Sequence, residues 1–70
     1  MPTKKFCIGF AAVFRQRFRA RRMSIARLAE LTGLPEQALR TYVAGDVTPQ
    51  VKTCWKLARA LEIDVSRIPS

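Results

Sequence analysis

Residues 24–45, Ser-Ile-Ala-Arg-Leu-Ala-Glu-Leu-Thr-Gly-Leu-Pro-Glu-Gln-Ala-Leu-Arg-Thr-Tyr-Val-Ala-Gly, constrain the fold more than any other stretch of this chain. They read as two short helices, over residues 24–31 and 35–44, joined by a tight turn at Gly33. Ser24 carries the hydroxyl that an N-cap needs to accept from an unpaired backbone N–H of the first turn. Ile25, Leu28, Ala29 and Thr32 fall on or near one face, and the small Ala29 leaves room for a close helix crossing. Gly33 tolerates the positive φ that commonly ends a helix. Leu34 follows as an apolar plug, and Pro35 suits the first turn of a new helix, where its missing N–H costs nothing. The second helix is expected to bury Ala38, Leu39 and Tyr42, with Val43 at its edge.

The flanking segments supply further helices. Over residues 9–22, Phe10, Val13, Phe14 and Phe18 share one face, an aromatic stripe most simply read as core. Arg15, Arg19 and Arg22 project from the other side, while Arg17 and Arg21 border the apolar arc and must snorkel or find partners. Residues 46–49 hold a turn or helix-entry signal. A helix over residues 50–61 presents Val51, Cys54, Trp55, Ala58 and Leu61 on one face, with Trp55 expected as the largest core residue. Residues 65–68 form a last helical turn. Residues 1–8 look like an arm, because Phe6, Ile8 and Phe10 alternate with Cys7 and Gly9 at a period of two. Such an extended segment either pairs with its copy across a dimer or packs down as coil. The predicted architecture is therefore all-α, a compact four- to five-helix domain over residues 9–70 with a short N-terminal arm over residues 1–8.

Seventy residues make one domain that buries only about 60% of the surface its unfolded chain exposes. With no histidine and only two cysteines, Cys7 and Cys54, no zinc-type ligand cluster can be assembled, and buried free thiols in a reducing cytosol are expected. No run of about 18 apolar residues exists to span a membrane. The apolar start is broken by Arg15, Arg17, Arg19, Arg21 and Arg22, which rules against a signal peptide. No histidine, no carboxylate pair beside a nucleophile and no pocket-sized core argue against an enzyme, so no catalytic residue, metal or cofactor is expected. Thirteen Lys and Arg against five Asp and Glu leave a net charge of +8, with pI near 10.9. A small folded domain this basic points to a polyanionic partner, usually nucleic acid.

The spacing over residues 24–45 is that of a helix-turn-helix, in which one helix crosses the DNA backbone and the next enters the major groove. Residues 23–68 resemble the phage-repressor/Cro-type, or XRE, helix-turn-helix family. The likeness is carried by Ser24, Leu28, Ala29, Gly33, Leu34, Leu39, Gly45, Pro49, the run Leu57-Ala58-Arg59-Ala60-Leu61, and Val65 with Ile68. It implies a lambda-repressor-like fold and two-fold dimers on DNA, acting as repressors, activators or antitoxin-like autoregulators. The chain departs from the family in four places. Ile25 stands where a phosphate-touching glutamine is common, Asp46 where the loop is often basic, and Thr32 where an apolar residue is usual. The first helix is also offset by one residue.

By the family's pattern the base-reading positions are Pro35, Glu36, Gln37 and Thr41, with Arg40 nearby. Their chemistry suits base edges. Gln37 can pair with adenine N6 and N7, Glu36 can accept from cytosine N4, and Arg40 can favour guanine or phosphate. Glu36 near a helix N-terminus is equally ordinary macrodipole stabilisation, and Gln37 alone is compatible with plain surface. Candidate phosphate contacts are the Ser24 hydroxyl with the free N–H groups behind it, Arg27, Thr48 and Lys52. The arginine face of the first helix, Arg15, Arg19, Arg21 and Arg22, either grips the backbone or is simply solvated. Lys4 and Lys5 would let an arm enter the minor groove. These readings converge on a cytoplasmic, nucleoid-associated, sequence-specific transcriptional regulator, a repressor or autoregulator. It would bind double-stranded DNA as a homodimer on an inverted repeat, without a membrane partner. The alternative is a protein-interaction module of the same fold. RNA or membrane-surface binding by the first helix would compete with the core's need for Phe10, Phe14 and Phe18.

Overall fold

A ladder of phenylalanines builds the first helix. In the computed structural model, which describes residues 4–68, α1 spans Lys4–Ala20. Phe6, Phe10, Phe14 and Phe18 recur every four residues and so stand one above another on the same face. Successive ring centroids lie 6.0, 6.3 and 6.1 Å apart. The expected extended arm is therefore absent from Lys4 to Ile8; residues 1–3 lie outside the described residues. A period of two needs Ile8 inside with Phe6 and Phe10, yet Ile8 is 56% exposed and Cys7, of the opposite parity, is buried. Gly9 sits inside the helix although glycine there costs about 1 kcal/mol relative to alanine. The reason is tertiary: a Cβ on Gly9 would lie 3.3 Å from Cγ2 of Ile68, where the C-terminal turn crosses α1.

The central pair of helices follows its local signals closely. Helix α2 spans Ile25–Thr32, and the Ser24 hydroxyl accepts from the Arg27 N–H at 3.0 Å. Gly33 has φ 74° and its N–H donates to the Ala29 carbonyl at 2.8 Å. Thr32, polar where an apolar residue is usual, stitches the turn: its Oγ1 donates to the Leu28 carbonyl at 2.8 Å and accepts from the Leu34 N–H at 3.2 Å. Helix α3 spans Glu36–Ala44, one residue later than expected, because Pro35 serves as an extended N-cap with φ −63° and ψ 141°. Gly45, at φ 85°, ends it, and the Asp46 N–H folds back onto the Thr41 carbonyl at 3.0 Å. Leu28 and Leu39 are fully buried between the two helices and the rest, whereas Ala38, Tyr42 and Val43 are half-buried.

Helix α4 spans Val51–Leu61, and a 3-10 turn over Val65–Arg67 follows. Helix α1 packs against α3 and α4, and α2 packs against the same two. Phe10, Phe14, Leu28, Leu39, Cys54, Leu57 and Leu61 are wholly enclosed, and no polar or charged side chain among the described residues is buried. Trp55 is not the largest core residue. It is 40% exposed at the rim, its ring 5.7 Å from that of Phe6, and Phe10 and Phe14 fill the centre instead. The buried stripe of α4 is Cys54, Leu57, Ala58 and Leu61, turned by part of a helical step from the one expected.

Both cysteines are free and buried, as their apolar settings imply. Burial, then the neighbouring Cys7 thiol, pushes the Cys54 thiol up to about 12, so it stays protonated and unreactive near neutrality. Its Sγ donates to the Pro49 carbonyl at 3.6 Å.

Arg22, just past α1, has φ 52°, a left-handed conformation that costs an L-residue about 1–2 kcal/mol. Arg22→Gly is expected to stabilise the domain by about 0.5–1 kcal/mol, the relieved strain being partly offset by glycine's larger entropy loss. Urea midpoints check this, with Arg22→Ala as the control that keeps the strain and shows no gain.

Candidate nucleic-acid interface

The α2–turn–α3 unit holds α3 by one side and leaves the other open. Leu39 is its buried anchor, and Glu36, Gln37 and Arg40 are exposed. Gln37, Arg40, Thr41, Ala44 and Asp46 border one open groove. The four base-reading candidates, Glu36, Gln37, Arg40 and Thr41, thus all lie on α3, on or beside this groove. Their states differ in ways the residue types alone do not reveal. Arg40 Nη2 lies 3.4 Å from Glu36 Oε1, one helical turn back, so these two neutralise each other at the start of α3. The Thr41 hydroxyl donates to the Ala38 carbonyl at 2.6 Å. With its proton so engaged, Thr41 is left with an acceptor oxygen and a methyl group to offer a base edge. The Gln37 amide has no partner among the described residues, so its donors and its acceptor are both available.

The phosphate candidates are spread over three elements and a loop. Ser24 and Arg27 stand exposed at the start of α2. The Ser24 oxygen is occupied as the cap acceptor, which leaves its proton free to donate, and Arg27 pairs with Glu30 at 3.2 Å. Thr48 is exposed in the loop before α4, and Lys52 in the first turn of α4. Arg19 is exposed on α1, and Arg22 just beyond it. Lys4 and Lys5, expected on an arm, are exposed in the first turn of α1 instead.

Arg15 does not project freely from the outer side of α1. It is half-buried, with its guanidinium 3.8 Å from the position a Cβ on Gly45 would take. A cation over the end of α3 favours the partial negative charge of that terminus. This places the Arg15 guanidinium beside the C-terminal end of α3, a position without a local signal because residues 15 and 45 meet only through the tertiary packing of α1 on α3. Arg21 finds the partner its position calls for, Glu62 at 3.5 Å, and Arg17 is half-buried.

Four of the five carboxylates lie within reach of an arginine: Glu30, Glu36, Glu62 and Asp64. Such exposed pairs add little stability, about 0–1 kcal/mol each. Their effect is electrostatic: they leave Lys4, Lys5, Arg15, Arg17, Arg19, Arg22, Lys52, Lys56 and Arg59 without ion-pair partners among the described residues, and so a strongly positive surface.

A capped α2, a glycine turn and an α3 exposed along one side, on a basic all-helical domain, define a helix-turn-helix DNA-binding domain. The helix-turn-helix family model matches residues 14–68, from the middle of α1 through the 3-10 turn. The chain belongs to the Cro/C1-type helix-turn-helix, or XRE, family, and is in general terms a DNA-binding regulator. Comparisons with curated proteins and with solved structures gave no match. Among the described residues, no helix is long and apolar enough to cross a membrane. No group of three or more His, Cys, Asp and Glu among them could hold a metal ion.

Proposed function

We propose that this chain is a sequence-specific transcriptional regulator, a repressor or autoregulator, that binds an inverted-repeat operator as a homodimer with α3 in the major groove. The observation that carries the reading is Gln37: an amide without a partner among the described residues, exposed on α3, beside Thr41 in the same groove. Gln37 reads adenine, Thr41 accepts from an exocyclic amino group or meets a thymine methyl, and Glu36 with Arg40 serve as a paired unit at the helix start. Ser24, Arg27, Thr48, Lys52, Arg19 and Arg22 hold the phosphate backbone.

Selection from a random duplex pool tests this reading. The expected product is a favoured word with two-fold symmetry, its halves about 10 base pairs apart or a multiple of that. A pool without any enriched word defeats it. On the selected duplex, replacing Arg19 and Arg22 together by alanine is expected to lower the salt dependence of binding by about 1–2 released counterions. An unchanged slope would return both arginines to a solvated face.

A second reading, a protein-interaction module of the same fold, has one observation in its favour. Leu31 and Trp55 are 45% and 40% exposed, and Leu31 shares a groove with Lys56 and Arg59. Binding without preference among duplexes, together with a tight acidic protein partner, is the outcome that favours it.

A further inference from the structure

The surface around α3 is less positive than the rest of the molecule. On a chain of net charge +8, the exposed side of α3 and its C-terminal end carry two cations, Arg40 and the half-buried Arg15 beside Gly45, and two carboxylates, Glu36 and Asp46, a local net charge of 0. Glu36 is held to Arg40 at 3.4 Å. Among the described residues Asp46 joins no ion pair; it is exposed and borders the groove with Gln37, Arg40 and Thr41. Its backbone is held by the end of the helix: Gly45 closes α3 in the left-handed conformation, and the Asp46 N–H donates to the Thr41 carbonyl at 3.0 Å.

We infer that Asp46 is a specificity-determining residue: its carboxylate keeps phosphates out of the α3 groove and admits only a base edge that offers an amino group. The inference rests on the reading of α3 as the base-reading helix and deepens it.

The chemistry follows from charge and hydrogen-bond type. A carboxylate is acceptor-only, so it can receive a hydrogen bond from cytosine N4 or adenine N6, and it meets guanine O6, thymine O4 and phosphate oxygens as repulsive neighbours. Nonspecific binding is sustained almost wholly by phosphate contacts from a basic protein. A chain with this much unpaired positive charge would hold any duplex well unless some feature opposed close approach in the wrong register. Asp46 supplies that opposition beside the side chains that must reach bases. The basic surface elsewhere supplies affinity, and the groove supplies discrimination.

Asp46→Asn and Asp46→Ala, measured on the selected duplex and on a random-sequence duplex over a range of salt, test this. Both variants are expected to bind random duplex about three- to tenfold more tightly at low salt, the scale of one like charge removed within a Debye length of the backbone. Affinity for the selected duplex should rise less or fall, so the specificity ratio drops in both. An unchanged ratio, whether both affinities stay put or shift together, overturns the inference while leaving α3 as the reader. A native chain that prefers no duplex overturns the reading of α3 and the inference with it.

Discussion

Phe10→Ala is expected to lower the stability of the domain by about 3–5 kcal/mol, among the largest losses of any single truncation in this chain. Phe10 has no exposed surface and stacks between Phe6 and Phe14, its ring 6.0 Å from one and 6.3 Å from the other. Truncating a buried phenylalanine to alanine costs about 3–5 kcal/mol, because both the transfer of the ring from water and its contacts are lost. At roughly 0.05–0.15 kcal/mol per residue, a domain of this length is stable by only about 3.5–10 kcal/mol, so the loss takes from about a third to all of it. Far-UV circular dichroism in a urea titration reads the outcome, with Phe10→Leu as a graded variant that keeps part of the volume. Ile8→Ala supplies the contrast. Its side chain is 56% exposed, and its loss should shift stability by no more than about 0.5 kcal/mol. An extended segment with a period of two would make Phe6, Ile8 and Phe10 comparably sensitive. A helix makes Phe6 and Phe10 sensitive and Ile8 silent. If Phe10→Ala instead unfolds cooperatively at nearly the native midpoint, the aromatic ladder does not hold the fold together.

The contrast between Ile8 and Phe10 also shows where sequence reasoning fails on this chain. The α2–turn–α3 unit was legible because its signals are local: Ser24 caps, Gly33 turns, Pro35 restarts, and each acts within a few residues of itself. The start of α1 was not. Phe6 and Phe10 satisfy a period of two as well as a step of four, and Gly9 between them weighs against helix. What removes the objection is Ile68, 59 positions along the chain, whose methyl lies where a Cβ on Gly9 would crowd it. Trp55 misled for a related reason. Two stripes on α4 both obey helical spacing, one with Val51 and Trp55, the other with Leu57, and only the placement of α1 and α2 around α4 decides between them. The candidate interface divides the same way. The resemblance to the family, together with residue type, named Glu36, Gln37, Arg40 and Thr41, but the Glu36–Arg40 pair and the hydroxyl bond of Thr41 depend on rotamers, and the placement of Arg15 beside Gly45 on tertiary packing.

Gln37→Ala is expected to have the largest selective effect on DNA binding, a loss of about 1–3 kcal/mol on the selected duplex with little change on random duplex. The other groove residues are already committed. Arg40 is partly neutralised by Glu36, and Thr41 has given its proton to the Ala38 carbonyl. Gln37 alone keeps a donor and an acceptor free on an exposed position of α3, the pair needed to match adenine N6 and N7 at once. Alanine removes both bonds and leaves the base edge without its partner. The helix itself should tolerate the change, since alanine is the best helix former and Gln37 contributes nothing to the core. Unchanged urea stability therefore separates a lost contact from a damaged fold. The random-duplex arm separates base reading from backbone contact: a phosphate ligand would be missed equally on every sequence, a base reader only where its base stands. An equal loss on both duplexes would make Gln37 a backbone contact. Undiminished discrimination would move base reading off this position of α3, and would leave Thr41 with the Glu36–Arg40 pair to account for any preferred word.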